Sequence, residues 1–173
     1  MNNFVKEALS IVEHLNILPK LRSYGQAEIV GSVVLDLVVK RDIDIHLLLS
    51  QESLLSVVQE VVGFLLQKSD VQEVRVTKYY GDSINVTLDS YKGSSGDWSV
   101  DIWLTTNIDR TGFEKTEKLK KELTEKQREI IMQLKESMYK QGRLRDGMSS
   151  LIYDAVIKSG VETPSELEEY LTK

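Results

Sequence analysis

Cysteine is absent from the 173-residue chain, which excludes disulfides, thiolate metal sites and a cysteine nucleophile. No apolar run approaches the length of a membrane span, and the N-terminal MNNFVKEALSIVEHL lacks the basic-then-apolar layout of a secretory signal. These absences lead to the expectation of a soluble, cytoplasmic protein with no membrane partner. Positive charge is in deficit, with a net charge of −5, so general attraction to nucleic acid is not expected. A local basic lining around a phosphate is still compatible with that balance. Internal repeats and low-complexity tracts are also missing. The length suits one domain, able to bury roughly two-thirds of its unfolded surface without a staple.

Residues 3–18 carry Val5, Leu9, Val12, Leu15 and Ile17 at helical spacing, and Pro19 follows. Residues 27–30 read as a short strand ending at Gly31, and the apolar residues 33–39 as a short buried helix. Residues 42–49 alternate and then turn fully apolar, as a central strand does. A helix is expected over 50–67, with Ser50 or Ser53 as its N-cap. Strands are expected over 71–80, 83–91 and 98–106, the first two joined by Gly81-Asp82 and the last two by the loop 92–97. From Thr111 the chain reads as helical. Thr124-Glu125-Lys126-Gln127 and Thr163-Pro164-Ser165-Glu166 are capping-box patterns, and a helix between them stops at Gly160. The expected fold is α/β (α+β): a mixed, mostly antiparallel sheet of about five strands with flanking helices over residues 1–110, then a C-terminal helical extension over 111–173.

Two carboxylates sit inside an apolar segment. In a strand Asp42 and Asp44 share one face while Ile43 and Ile45 share the other. At roughly 3.3 Å per residue the aspartates lie about 6–7 Å apart along the strand. Like charges so placed raise a pKa or call for a cation, and hard oxygen ligands suit Mg²⁺ or Mn²⁺. Asp101 has the same setting, opposite Val100, Ile102 and Leu104. If its strand neighbours residues 42–49, three carboxylates converge, enough for a two-metal site. Gly31-Ser32 at the end of a strand supplies close backbone approach and a hydroxyl for a phosphate.

Gly31-Ser32 after an apolar strand, then Asp42-Ile43-Asp44-Ile45, then Asp101 in VDIWL, resembles the signature of the DNA polymerase beta-like nucleotidyltransferase superfamily. Over residues 26–106 the layout is most similar to its small bacterial members, such as the antibiotic nucleotidyltransferases. The resemblance implies an enzyme that moves a nucleoside monophosphate from an NTP to a hydroxyl of a small molecule or protein, using two Mg²⁺ ions. Asp42 and Asp44 would hold both ions, Asp101 the ion at the acceptor hydroxyl, and Gly31 and Ser32 the β and γ phosphates. The stretch VVLDLVVKR departs from the polar sequence many members have there; Arg41, at its end, is taken as a phosphate contact beside Lys40.

Competing assignments are of three kinds. Asp89 is the alternative third carboxylate. His46 continues the aspartate face and is read as a hydrogen-bonded structural residue before a base, Trp98 and Trp103 as packing residues before a base platform, and Lys118 or Lys121 as remote candidates for a triphosphate. A catalytically inactive nucleotide-binding or regulatory module of the same fold is the alternative function.

Overall fold

A computed structural model describes residues 2–50, 53–79 and 82–172. The first amphipathic segment forms α1 (Asn3–Leu15), which ends where Asn16 takes a left-handed conformation, and the chain then re-enters a helix as α2 (Ile17–Arg22). Pro19 therefore does not terminate the helical region. It sits in the first turn of α2, where its missing N–H would have no intrahelical acceptor.

Five strands form one sheet: β1 (Gly25–Val30), β2 (Asp42–Leu49), β3 (Arg75–Lys78), β4 (Ser83–Lys92) and β5 (Asp97–Thr105), in the order β1-β2-β5-β4-β3. Among the described residues the β2–β5 pairing is parallel and the others are antiparallel. Helix α3 (Leu54–Leu66) follows Ser53, and the expected strand over 71–80 is confined to β3. Ser50 thus lies outside the helix and instead bonds the carbonyl of Tyr24. Gly81 of the expected turn lies outside the described residues. The helical part comprises α4 (Phe113–Glu122), α5 (Glu125–Lys140), α6 (Met148–Ser159) and α7 (Pro164–Leu171), after a short 3₁₀ turn, Ile108–Arg110. Both expected capping boxes are present, and Gly160 closes α6 in a left-handed conformation.

Strands β2 and β5 bury alternate residues on the sheet face that packs in one core with α1 and α3. Ile43, Ile45, Leu47, Val100, Ile102 and Leu104 are each 0% exposed on that side. A second cluster lies within the C-terminal helices, around Ile131, Leu134, Ile152 and Val156. Residues 33–39 join the two. They are not the helix expected from their apolarity but a run of turns, with Leu35 N donating to Gly31 O and Leu37 N to Ser32 O. Asp36 has φ +56 within that run, a conformation a continuous helix does not allow. Val33 and Val38 enter the sheet core, whereas Leu35 and Leu37 enter the helical core.

Candidate functional site

The other sheet face, free of α1 and α3, borders a cavity of ≈ 530 Å³ closed by α4, α5 and α6. Strand alternation puts Asp42, Asp44 and His46 on this face of β2, and Ser99, Asp101 and Trp103 on the same face of β5. The parallel register sets Asp44 directly beside Asp101 and Asp42 beside Ser99. The structure thus gathers Gly31, Ser32, Asp42, Asp44 and Asp101 around one space.

Asp101 is held in one orientation by hydrogen bonds from Asn85 (3.2 Å), Thr87 (2.6 Å) and Ser99 (3.0 Å). Asp42 takes a weak contact from Lys40 Nζ at 3.4 Å on Oδ2, while its Oδ1 is buried with no hydrogen-bond partner. Burial pushes the Asp42 carboxyl up to about 6; Lys40 opposes the rise and Asp101 adds to it. Asp44 is pushed up to about 7 by burial and by the neighbouring charges of Asp42 and Asp101. Clustered carboxylates that resist ionising are the electrostatic condition a divalent cation relieves. Among the described residues no three His, Asp or Glu side chains form a ready-made metal cluster. The oxygen-only donors and the orphaned, buried Asp42 Oδ1 nevertheless fit a hard cation such as Mg²⁺.

The phosphate-side candidates also have geometry. Gly31 has φ +66, the left-handed region, and an added Cβ would lie 3.6 Å from Asp44 Oδ2, so conformation rather than space calls for glycine. Its N–H donates to Thr116 Oγ1 on α4 at 3.1 Å. Ser32 Oγ lies 3.2 Å from the Tyr153 hydroxyl and accepts from Lys135 Nζ at 2.9 Å. Lys135, on α5, is only 1% exposed and also donates to Leu37 O at 2.5 Å. Burial pulls its ammonium down to about 8, with Asp44 and Asp42 pulling the other way.

Lys135 and Tyr153 are the residues that sequence reasoning missed. Lys135 falls on the buried stripe of α5 together with Ile131, Leu134 and Met138, and a lysine on an apolar stripe is the signal that could have found it. Lys118 and Lys121 are exposed and do not line the cavity; Lys115 and Lys135 do.

Arg41 is not brought to the site. Alternation turns it away from Asp42, to donate to Ser95 Oγ at 3.0 Å and lie 5.1 Å above the Phe4 ring. Asp89 lines the cavity but is held by Arg75 in two hydrogen bonds of 2.8 and 2.7 Å, because a register shift between Leu88 and Tyr91 releases it from the β4–β5 ladder. His46 Nδ1 accepts from Gly112 N at 2.9 Å, burial lowers its pKa to about 4, and the residue also lines the cavity. Trp98 is fully buried, edge-on to Phe4. The loop 92–97 is tied to Glu7 of α1 through Ser94 and Ser95 and does not line the cavity.

The five-stranded mixed sheet, with a Gly-Ser turn after its edge strand and aspartates on two adjacent inner strands, matches a nucleotidyltransferase fold. Solved structures bear this out. A cytoplasmic RNA terminal U-transferase matches at 15% identity and a TM-score of 0.69, covering 91% of this chain and 49% of that one. The Cid1 poly(U) polymerase matches at 15% and 0.69, over 93% of this chain and 50% of that one. The non-canonical poly(A) polymerase GLD-2, in complex with GLD-3, matches at 14% and 0.69, over 99% and 59%. The chain therefore spans about half the length of these proteins. No family model matches it, and no curated protein is similar to it in sequence. Among the described residues no helix is long and apolar enough to cross a membrane.

Proposed function

We propose that the chain transfers a nucleoside monophosphate from an NTP to an acceptor hydroxyl. The observation that carries this reading is the buried Oδ1 of Asp42, without a hydrogen-bond partner, on a residue that lines the same cavity as Asp44, Asp101, Ser32 and Lys135. Asp42, Asp44 and Asp101 are the residues that would hold two Mg²⁺ ions, with Mn²⁺ as a substitute. The ions would supply charge neutralisation and a more acidic acceptor hydroxyl.

Gly31 and Ser32 hold the β and γ phosphates, and Lys135 extends its hydrogen bond from Ser32 to the same oxygens, as a buried ammonium does best. The bond from acceptor oxygen to the α-phosphorus forms as the bond from that phosphorus to the pyrophosphate oxygen breaks. The hydroxyl proton passes to Asp101, whose carboxylate Asn85, Thr87 and Ser99 keep in place. Charge accumulating on pyrophosphate is met by Ser32 and Lys135. Rate acceleration then comes chiefly from alignment and preorganised charge.

The test is pyrophosphate release and thermal shift with each of the four NTPs, with and without Mg²⁺. Mg²⁺-dependent stabilisation by an NTP is expected, with release that Asp44→Asn abolishes while the fold is kept. Undiminished Mg²⁺-dependent release by Asp44→Asn would refute the assignment.

A further inference from the structure

The two sides of the cavity differ in charge and in shape. Ser32 follows the edge strand β1, so the phosphate side lies beyond β2. It carries Lys115 and Lys135 from the helices, and Lys40 and Arg145 complete the cationic lining. Beyond Asp101 the sheet continues through β4 to β3, and here the lining is Arg75, Tyr79, Asn85, Asp89 and Trp103. The one cation among them, Arg75, is engaged by both oxygens of Asp89. The chemistry of this side is set by two rings: Tyr79 and Trp103 have centroids 4.8 Å apart and planes inclined at 45°, and Tyr79 is 44% exposed.

We propose that this aromatic notch is the acceptor subsite and takes a hydroxylated, unphosphorylated small molecule with a planar ring. The inference rests on the transfer reading above and names the substrate class of the same site. The two rings pack against each other, and a planar guest stacked flat on the outer face of one meets the other at the same 45° inclination, so it lies against two aromatic surfaces. Trp103 is two residues from Asp101 on the same strand face, roughly 6–7 Å along the strand. A molecule of one or two rings spans that gap, with its ring in the notch and its hydroxyl at Asp101. A single-stranded polynucleotide would instead need a cationic track for its phosphates beside the stacking rings. On this side the carboxylates of Asp89 and Asp101 face the guest, and the guanidinium that could serve a phosphate is already bound. Unphosphorylated rings, neutral or cationic, meet neither obstacle.

Binding alone tests this, read from the indole N–H resonances of the 173-residue chain. Trp103 reports on the notch and fully buried Trp98 serves as the internal control. The probes are tyramine, the non-planar cyclohexylethylamine of equal charge, and the trinucleotide UpUpU. Tyramine should shift the Trp103 signal at concentrations several-fold lower than cyclohexylethylamine, and UpUpU should leave the signal in place over the same range. Tyr79→Ala should weaken tyramine roughly tenfold, and Tyr79→Phe should restore it.

The proposal falls if tyramine leaves Trp103 unmoved, if Tyr79→Ala binds it as the parent does, or if UpUpU binds the notch more tightly than tyramine. A parallel titration with NTP and Mg²⁺ separates the two readings. Loss of nucleotide binding with tyramine behaving as stated removes the transfer reading and leaves the subsite. The reverse result removes the subsite alone.

Discussion

Replacing Lys135 with methionine keeps the length of the side chain and removes its charge. The ammonium is 1% exposed, and burial has pulled its pKa from 10.5 to about 8. At about 1.4 kcal/mol per tenfold change in proton affinity, holding the charged form in that site costs about 3 kcal/mol. Removing the amine leaves Leu37 O without this donor, an opposing term of about 1–3 kcal/mol, while Ser32 and Tyr153 can still bond each other. The variant should therefore equal the parent in stability at pH 7 or exceed it by up to about 2 kcal/mol. In a chain of this length that moves Tm upward by up to about 4–8 °C.

The pH dependence carries a signature. A base whose folded pKa is depressed weakens the fold while it is protonated, and the penalty is relieved as pH rises from about 8 towards 10.5. The advantage of the variant should thus shrink across that window. Nucleotide affinity should move oppositely, falling about ten- to a hundredfold with the loss of a charge-assisted phosphate contact. Denaturant melts of both proteins at pH 7 and pH 9.5, with NTP·Mg²⁺ titrations, measure all of this. A variant more than about 1 kcal/mol less stable at pH 7, or one with parental nucleotide affinity, would refute the reasoning.

Three further outcomes are expected. Metal-free protein should lose stability as pH rises from about 4 to 7, because the folded pKa values of Asp42 and Asp44 are raised from 3.8 to about 6 and about 7 and ionisation in the site is disfavoured. Mg²⁺ should accordingly raise Tm more at pH 8 than at pH 5, and Asp44→Asn should flatten the metal-free profile in a melt series. Asp101→Ala should abolish pyrophosphate release whereas Asp89→Ala should change it by less than tenfold, since it breaks only a solvent-screened pair with Arg75; the opposite ranking in a kinetic assay would make Asp89 the third carboxylate. Residues 1–110 alone should lack a sharp cooperative melt and bind a hydrophobic dye, because they would leave Leu35 and Leu37, each 1% exposed in the full chain, without the helices that cover them.

How much of this was legible in the sequence follows from where the information resides. The start of β2 was readable because alternation against a buried face has a period of two and Asp42 and Asp44 mark it. Both capping boxes were readable because the motif is local. Residues 33–39 misled because apolarity reports burial without reporting by what; here two different cores claim alternate parts of one run of turns. The placement of Arg41 follows from the same period of two that places Asp42, which sends neighbouring residues to opposite faces and so removes the expected phosphate contact. The pairing of Lys135 and Tyr153 with Ser32 was beyond reach for another reason, although the apolar stripe of α5 marks Lys135 itself. The two residues lie 103 and 121 positions from Ser32, and no local pattern encodes a contact made by tertiary packing.

The dual membership of residues 33–39 gives the phosphate turn an unusual mechanical standing. Gly31 and Ser32 open a segment whose side chains are anchored alternately in the sheet and in the helical cap, so the two bodies cannot shift apart without straining that turn. A nucleotide clasped between Ser32 and Lys135 would act as a rivet through both plates. Occupancy and the seating of the cap would then be one equilibrium, and the empty protein would breathe along the same seam that the nucleotide closes.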